Sequence, residues 1–124
     1  MGKMKIIVID DSEIIRNLLQ EYLTDLGYEV ELAVDGQEGI DKALANDYQV
    51  AFCDIHMPKK NGYQVLKEVT GQKTGMVFIM TDSLPDKLAE MANEAGAYCC
   101  LKKPFDLDEI KTVLKNVISM VKSL

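Results

Sequence analysis

The chain has 124 residues, 48% hydrophobic and 27% charged, with a formal net charge of -6. That length fits one globular domain, long enough to bury a core without disulfide or metal staples. The acidic balance argues against nucleic acid and anionic membranes as partners, because both require a basic patch, and no apolar run is long enough to span a bilayer.

The opening residues break at Asp10, too early for the apolar core of a signal peptide, and Ile6 stands where a myristoylation motif needs Ser or Thr. We therefore expect a cytoplasmic protein, and separately a monomer. The cysteines, Cys53, Cys99 and Cys100, are odd in number and lack C-x-x-C spacing. Their apolar surroundings read as buried, reduced thiols.

Lys5-Ile6-Ile7-Val8-Ile9 is an unbroken β-branched run, the pattern of a buried parallel strand. It stops at Asp10-Asp11-Ser12, where Asp11 or Ser12 can cap a helix. That helix carries Ile15, Leu18, Leu19, Tyr22, Leu23 and Leu26 at helical spacing and halts at Gly27. Residues 28–34 alternate as a half-buried strand, and residues 36–46 form a second helix with Ile40, Ala43 and Leu44 inward. A third strand, 49–53, closes on Asp54. Pro58 to Gly62 is a turn, a short helix spans 63–69, and glycines bound a loop at 71–75. A fourth buried strand, Met76 to Met80, closes on Thr81, and Asp82 or Ser83 can cap a helix running from near Pro85 to near Gly96. A short fifth strand over 98–101 leads to Lys102-Lys103-Pro104. Asp106 caps the last helix, with Glu109 placed for a capping box and Ile110, Val113, Leu114, Val117 and Val121 as its buried stripe. Strict strand-helix alternation implies a parallel sheet with helices on both faces.

In such a sheet, ligands bind beyond the carboxyl ends of the strands. Asp10, Asp11, Asp54, Thr81, Lys102 and Lys103 all fall there. Crowded carboxylates repel one another and call for a cation; a few hard oxygen ligands suit Mg2+, which shares its shell with water and phosphate. A carboxylate can act as a nucleophile toward phosphorus, giving an acyl phosphate, with a hydroxyl and an ammonium donating to the phosphoryl oxygens. Each signal alone has an ordinary explanation as a cap, a strand end or a loop; their convergence on one sheet edge is what carries the reading.

The segments Val8-Ile9-Asp10-Asp11-Ser12, Asp54-Ile55-His56-Met57-Pro58 with Asn61-Gly62, Thr81, and Lys103-Pro104-Phe105 resemble the response-regulator receiver family, in order and over essentially the whole chain. The stand-alone, chemotaxis-regulator-like members are the most similar in extent. The resemblance implies a flavodoxin-like doubly wound α/β fold, with a five-stranded parallel sheet of order 2-1-3-4-5, as a single receiver domain over residues 1–124. It implies a phosphoacceptor signalling protein of two-component systems rather than an enzyme with its own substrate. Asp54 is then the phosphorylated residue. Asp10, Asp11, Asp54 and the backbone carbonyl of His56 hold Mg2+, with Mn2+ as the alternative. Thr81 is the switch hydroxyl, and Lys103 contacts the phosphoryl oxygens beside a cis bond to Pro104.

The implied partners are a histidine kinase or histidine phosphotransfer protein and a downstream target. The target docks on the face made by the fourth helix, fifth strand and fifth helix. The chain ends at the fifth helix, so output is expected through a partner or onward phosphotransfer.

Four positions depart from the family pattern or tune it. Asp82 stands where Ala or Gly is usual; its carboxylate either narrows access to Asp54 and repels donors, or caps the next helix. Cys100 occupies the position of the switch aromatic; Tyr98, on the same strand face by period two, is either a stand-in or, the favoured reading, a plain surface or half-buried tyrosine. His56 and Ser83 sit at positions that tune phosphate lifetime. A receiver-shaped interaction module that is never phosphorylated is the alternative function. A haloacid-dehalogenase-type phosphatase fits less well, because His56 replaces its second aspartate.

Overall fold

The computed structural model describes residues 4–82 and 87–122. Five strands and five helices alternate: β1 (Lys5–Ile9), α1 (Glu13–Asp25), β2 (Glu29–Ala33), α2 (Gly36–Ala45), β3 (Val50–Asp54), α3 (Gly62–Thr70), β4 (Val77–Asp82), α4 (Lys87–Glu94), β5 (Cys99–Lys102) and α5 (Leu107–Lys122). The strands form one sheet in the order β2-β1-β3-β4-β5, with every neighbouring pair parallel. This is the flavodoxin-like doubly wound fold.

Side-chain alternation along each strand divides the core into two layers. Ile6 and Val8 of β1 pack with Phe52 and Ile79 against Leu19 and Leu23 of α1 and Ile110, Leu114 and Val117 of α5. Ile7 and Ile9 pack with Cys53, Phe78 and Met80 against α2, α3 and α4, through Ile40, Val65, Leu66 and Ala92. The chain first winds outward from β1 to β2 and then crosses back to β3. The crevice beyond the carboxyl ends of β1 and β3 is therefore the topological switch point.

Local chemistry sets the helix starts. Ser12 caps α1, its side chain accepting from the Ile15 amide, and Asp35 caps α2 by accepting from the Glu38 amide. Asn61, read from sequence as part of a turn, and Gln64, read as part of the following helix, form a reciprocal capping box on α3. Asp106 serves α5 by accepting from the Asp108 amide.

Some expectations shift. Leu18 is 40% exposed, because it flanks the Leu19–Leu23 stripe instead of lying on it. β4 runs on through Thr81 and Asp82, since its ladders to β3 and β5 continue that far. β5 begins at Cys99, which leaves Tyr98 just ahead of it. Cys99 and Cys100 are half-buried and lie in opposite core layers, whereas Cys53 is fully buried; all three thiols are free. The expected α4 cap at Ser83 and start near Pro85 lie outside the described residues.

Gly62 opens α3 directly beneath the acceptor strand. Its amide donates to the Ile55 carbonyl at 2.8 Å. A Cβ there would stand 2.4 Å from the Asp54 carbonyl oxygen and 2.9 Å from the Ile55 Cα, neither of which can move without disturbing the sheet edge. Gly62→Ala is expected to lower stability by about 2–3 kcal/mol in urea unfolding. An unchanged midpoint would show that the contact has slack.

Candidate functional site

Asp10 leaves β1 with every polar group engaged. Its amide donates to the Ala33 carbonyl, its Oδ1 accepts from the Ser12 amide at 2.9 Å, and its carbonyl accepts from Arg16 Nη1 at 2.8 Å. Arg16 thus braces the site from one turn inside α1. Sequence reasoning passed it over, although an arginine just past an acidic pair and a cap is a readable signal. Asp54 ends β3, next to Asp10, because Ile9 and Cys53 are register partners.

Asp10 and Asp54 are buried and Asp11 is exposed, and carboxylate oxygens of all three lie within 4.8 Å of one another. Lys103 reaches into this cluster from beyond β5. Its Nζ lies 2.9 Å from Asp10 Oδ2 and 3.4 Å from Asp54 Oδ1. The Lys103–Pro104 bond is cis.

Three carboxylates thus face one ammonium. Burial would lower the Lys103 pKa, but its hydrogen bond and attraction to Asp10, together with the charge of Asp54, outweigh that and leave it raised. The Asp54 carboxyl is pushed up to about 6, first by burial and next by repulsion from Asp10, against the pull of Lys103. The donor set is all oxygen and carries excess negative charge. Exposed Asp11 opens one side to water. Those features suit a hard divalent cation that keeps part of its hydration shell.

Thr81 is buried and is the Cα register partner of Asp54; its carbonyl accepts from the Ile55 amide at 2.9 Å. The hydroxyl-bearing residue is therefore fixed beside the acceptor by the sheet itself. Lys102 is exposed and pairs with Asp82 in the ladder, so of the two adjacent lysines Lys103 is the one at the site.

Asp82 is buried, and its Oδ1 lies 3.4 Å from His56 Nε2. The sequence reading treats these two residues separately and couples His56 to Ser83, which lies outside the described residues. Cys100 packs half-buried against the α2–α4 layer, and Tyr98 is 42% exposed ahead of β5. Burial, the Asp82 charge and neighbouring Cys99 push the Cys100 thiol up to about 11. A thiolate is then scarce at neutral pH, which weighs against redox control there.

The Asp54 shift has a testable sign. Below the unfolded carboxyl pKa the group is protonated in both states and costs nothing. As pH rises through about 6, the folded state must ionise a buried group and stability is lost. In metal-free buffer, Asp54→Asn is expected to exceed the parent in stability by roughly 2–3 kcal/mol above that pH. The advantage should vanish at acid pH, as followed by chemical denaturation across a pH series. A pH-independent difference would contradict the burial of this charge.

Comparison with known proteins agrees with the geometry. A response regulator receiver domain family matches residues 6–115. The transcriptional regulatory protein DltR of Streptococcus agalactiae is 36% identical over 110 residues, which cover 86% of this chain and 48% of that protein. The chain spans about half the length of the curated relatives it matches. Among solved structures, Vibrio cholerae chemotaxis protein CheY4 is 30% identical with TM-score 0.85, covering 94% of this chain and 99% of the other. Response regulator TrrA of Thermotoga maritima, solved in complex with Mg2+ and BeF, is 31% identical with TM-score 0.84, covering 92% and 98%. Matched in family, fold and acidic pocket, the chain belongs to the response regulator receiver family, phosphoacceptor signalling proteins of two-component systems.

Proposed function

We propose that Asp54 accepts a phosphoryl group from the phosphohistidine of a histidine kinase or histidine phosphotransfer protein. The observation that carries this is the placement of Lys103 against Asp10 and Asp54 at the switch point, within a cluster of three carboxylates. An Asp54 oxygen attacks phosphorus in line. The P–N bond breaks as the P–O bond forms, and the departing imidazole keeps the electron pair and takes up a proton. Catalysis of this kind is mainly positioning and charge stabilisation.

Lys103 has its ammonium already within reach of Asp54 and donates to a phosphoryl oxygen. Thr81 follows from the adjacent strand. Mg2+, or Mn2+ in its place, would be held by Asp10, Asp11, Asp54 and the backbone carbonyl of His56. When bound, it offsets the charge of the carboxylates and of the incoming phosphoryl group. TrrA, with its bound Mg2+, supports that assignment.

Residues 1–124 act in this reading as one receiver domain, a cytoplasmic monomer that binds neither nucleic acid nor membrane. No helix of the described residues is long and apolar enough to cross a membrane. The downstream target docks on the α4–β5–α5 face, and His56, Asp82 and Ser83 tune the reaction.

Intact mass after incubation with acetyl phosphate or a phosphohistidine donor tests this. With Mg2+ present, one phosphoryl group is expected on the parent and none on Asp54→Asn. Lys103→Ala should slow uptake by about tenfold or more. No uptake from any donor would point to an interaction module instead.

A further inference from the structure

The three carboxylates of the acidic cluster are not held alike. Asp54 is the last residue of β3, fixed by the ladder to β4 and approached by Lys103 at 3.4 Å. Asp10 has its Oδ1 on the Ser12 amide at 2.9 Å and its Oδ2 on Lys103 at 2.9 Å. Asp11 is exposed and lies outside both β1 and α1. Among the described residues its carboxylate accepts no hydrogen bond and makes no ion pair, although it faces Asp10 and Asp54. Its place is therefore set by its backbone alone.

That backbone has one anchor on its amino side. The Asp10 carbonyl and the Asp11 amide share one rigid peptide plane. Among the described residues, the single hydrogen bond on this plane comes from Arg16, whose Nη1 donates to the Asp10 carbonyl at 2.8 Å. On the carboxyl side, the Ser12 amide is held by Asp10 Oδ1. The Asp11 Cα thus sits between two fixed planes, and Arg16 holds the first of them.

Arg16 is an unexpected residue here unless that bond matters. It is the fourth residue of α1, half-buried, and a cation near a helix start opposes the helix dipole. Asp11 and Glu13 are close by in sequence, yet among the described residues Arg16 makes no ion pair. The guanidinium goes to the carbonyl instead.

We propose that Arg16 is a positioning residue for the divalent-cation site: by clamping the Asp10–Asp11 peptide it aims the exposed Asp11 carboxylate at the ion. The proposal rests on the reading of Asp10, Asp11 and Asp54 as metal ligands. Groups that orient a metal's ligands without touching the metal govern its affinity. The sign of the effect separates this role from plain electrostatics. A guanidinium beside the cluster repels a divalent cation, so by charge alone its removal tightens binding. As a clamp, its removal weakens binding, because Asp11 must then be ordered as the ion arrives.

Calorimetric titration of Mg2+ into the full, unphosphorylated chain tests the clamp. Alanine suits a helix, so Arg16→Ala should fold, and it should bind Mg2+ about tenfold more weakly than the parent. Arg16→Lys keeps the charge and a donor on a long stem, and should bind more tightly than Arg16→Ala. Asp11→Asn should also weaken binding, and adding Arg16→Ala to it should weaken it little further, because the clamp acts through Asp11. Three results would each overturn the clamp while leaving Asp54 as acceptor: Arg16→Ala binding as tightly as the parent or more so, Arg16→Lys no better than Arg16→Ala, or losses that multiply in the double variant. A parent that binds no Mg2+ would overturn the metal reading as well.

Discussion

Lys103 holds together two buried carboxylates that would otherwise repel each other. Its ammonium lies 2.9 Å from Asp10 and 3.4 Å from Asp54, in a pocket that also admits the oxygen of Asp11. One positive charge cannot neutralise three negative ones, and removing either partner of a buried pair strands the other. The geometry of this sheet edge therefore answers to that imbalance. It raises the Asp54 carboxyl, keeps Lys103 protonated, and leaves a negative remainder suited to a divalent cation.

The scaffold meets this demand with rigidity. Asp10 is tied by its amide, its carboxylate and the Arg16 brace on its carbonyl. Asp54 sits on a strand buried along its whole length, with Gly62 pressed against its carbonyl. Thr81 is held beside Asp54 by the β3–β4 register, so the hydroxyl does not depend on a loop for its place. The charged pocket is destabilising in the resting fold, and the two core layers beneath it supply the compensating burial.

Cys100, where the sequence reading expects a switch aromatic, is half-buried against the α2–α4 layer, and Tyr98 is 42% exposed ahead of β5. A small thiol sweeps little volume, so movement near Thr81 has no large ring to reorient at that position. The His56–Asp82 contact joins the β3 exit to the end of β4, one residue past Thr81. A shift at Thr81 therefore reaches this contact through a single peptide unit.

The β-branched run of β1, the helical stripes of α1 and α5 and the punctuation at Gly27 are local patterns, and they were legible as such. The convergence of Asp10, Asp11, Asp54, Thr81 and Lys103 was also legible, because in a parallel sheet every strand's carboxyl end points to the same edge. The capping box of Asn61 and Gln64 was missed because Asn61 sits in a turn-like stretch, and Leu18 could not be separated from its stripe without knowing the exact roll of α1. Arg16 was readable but passed over, whereas the His56–Asp82 contact was beyond reach for a different reason. A strand order and register bring His56 and Asp82 together across 25 intervening positions in the chain, and no local periodicity encodes that. The sequence by itself determined which chemical groups stand at the strand ends. Only the tertiary structure decided which of them are buried and which carboxylate faces the histidine, because burial and pairing depend on distances that exist only once the sheet has closed its layers.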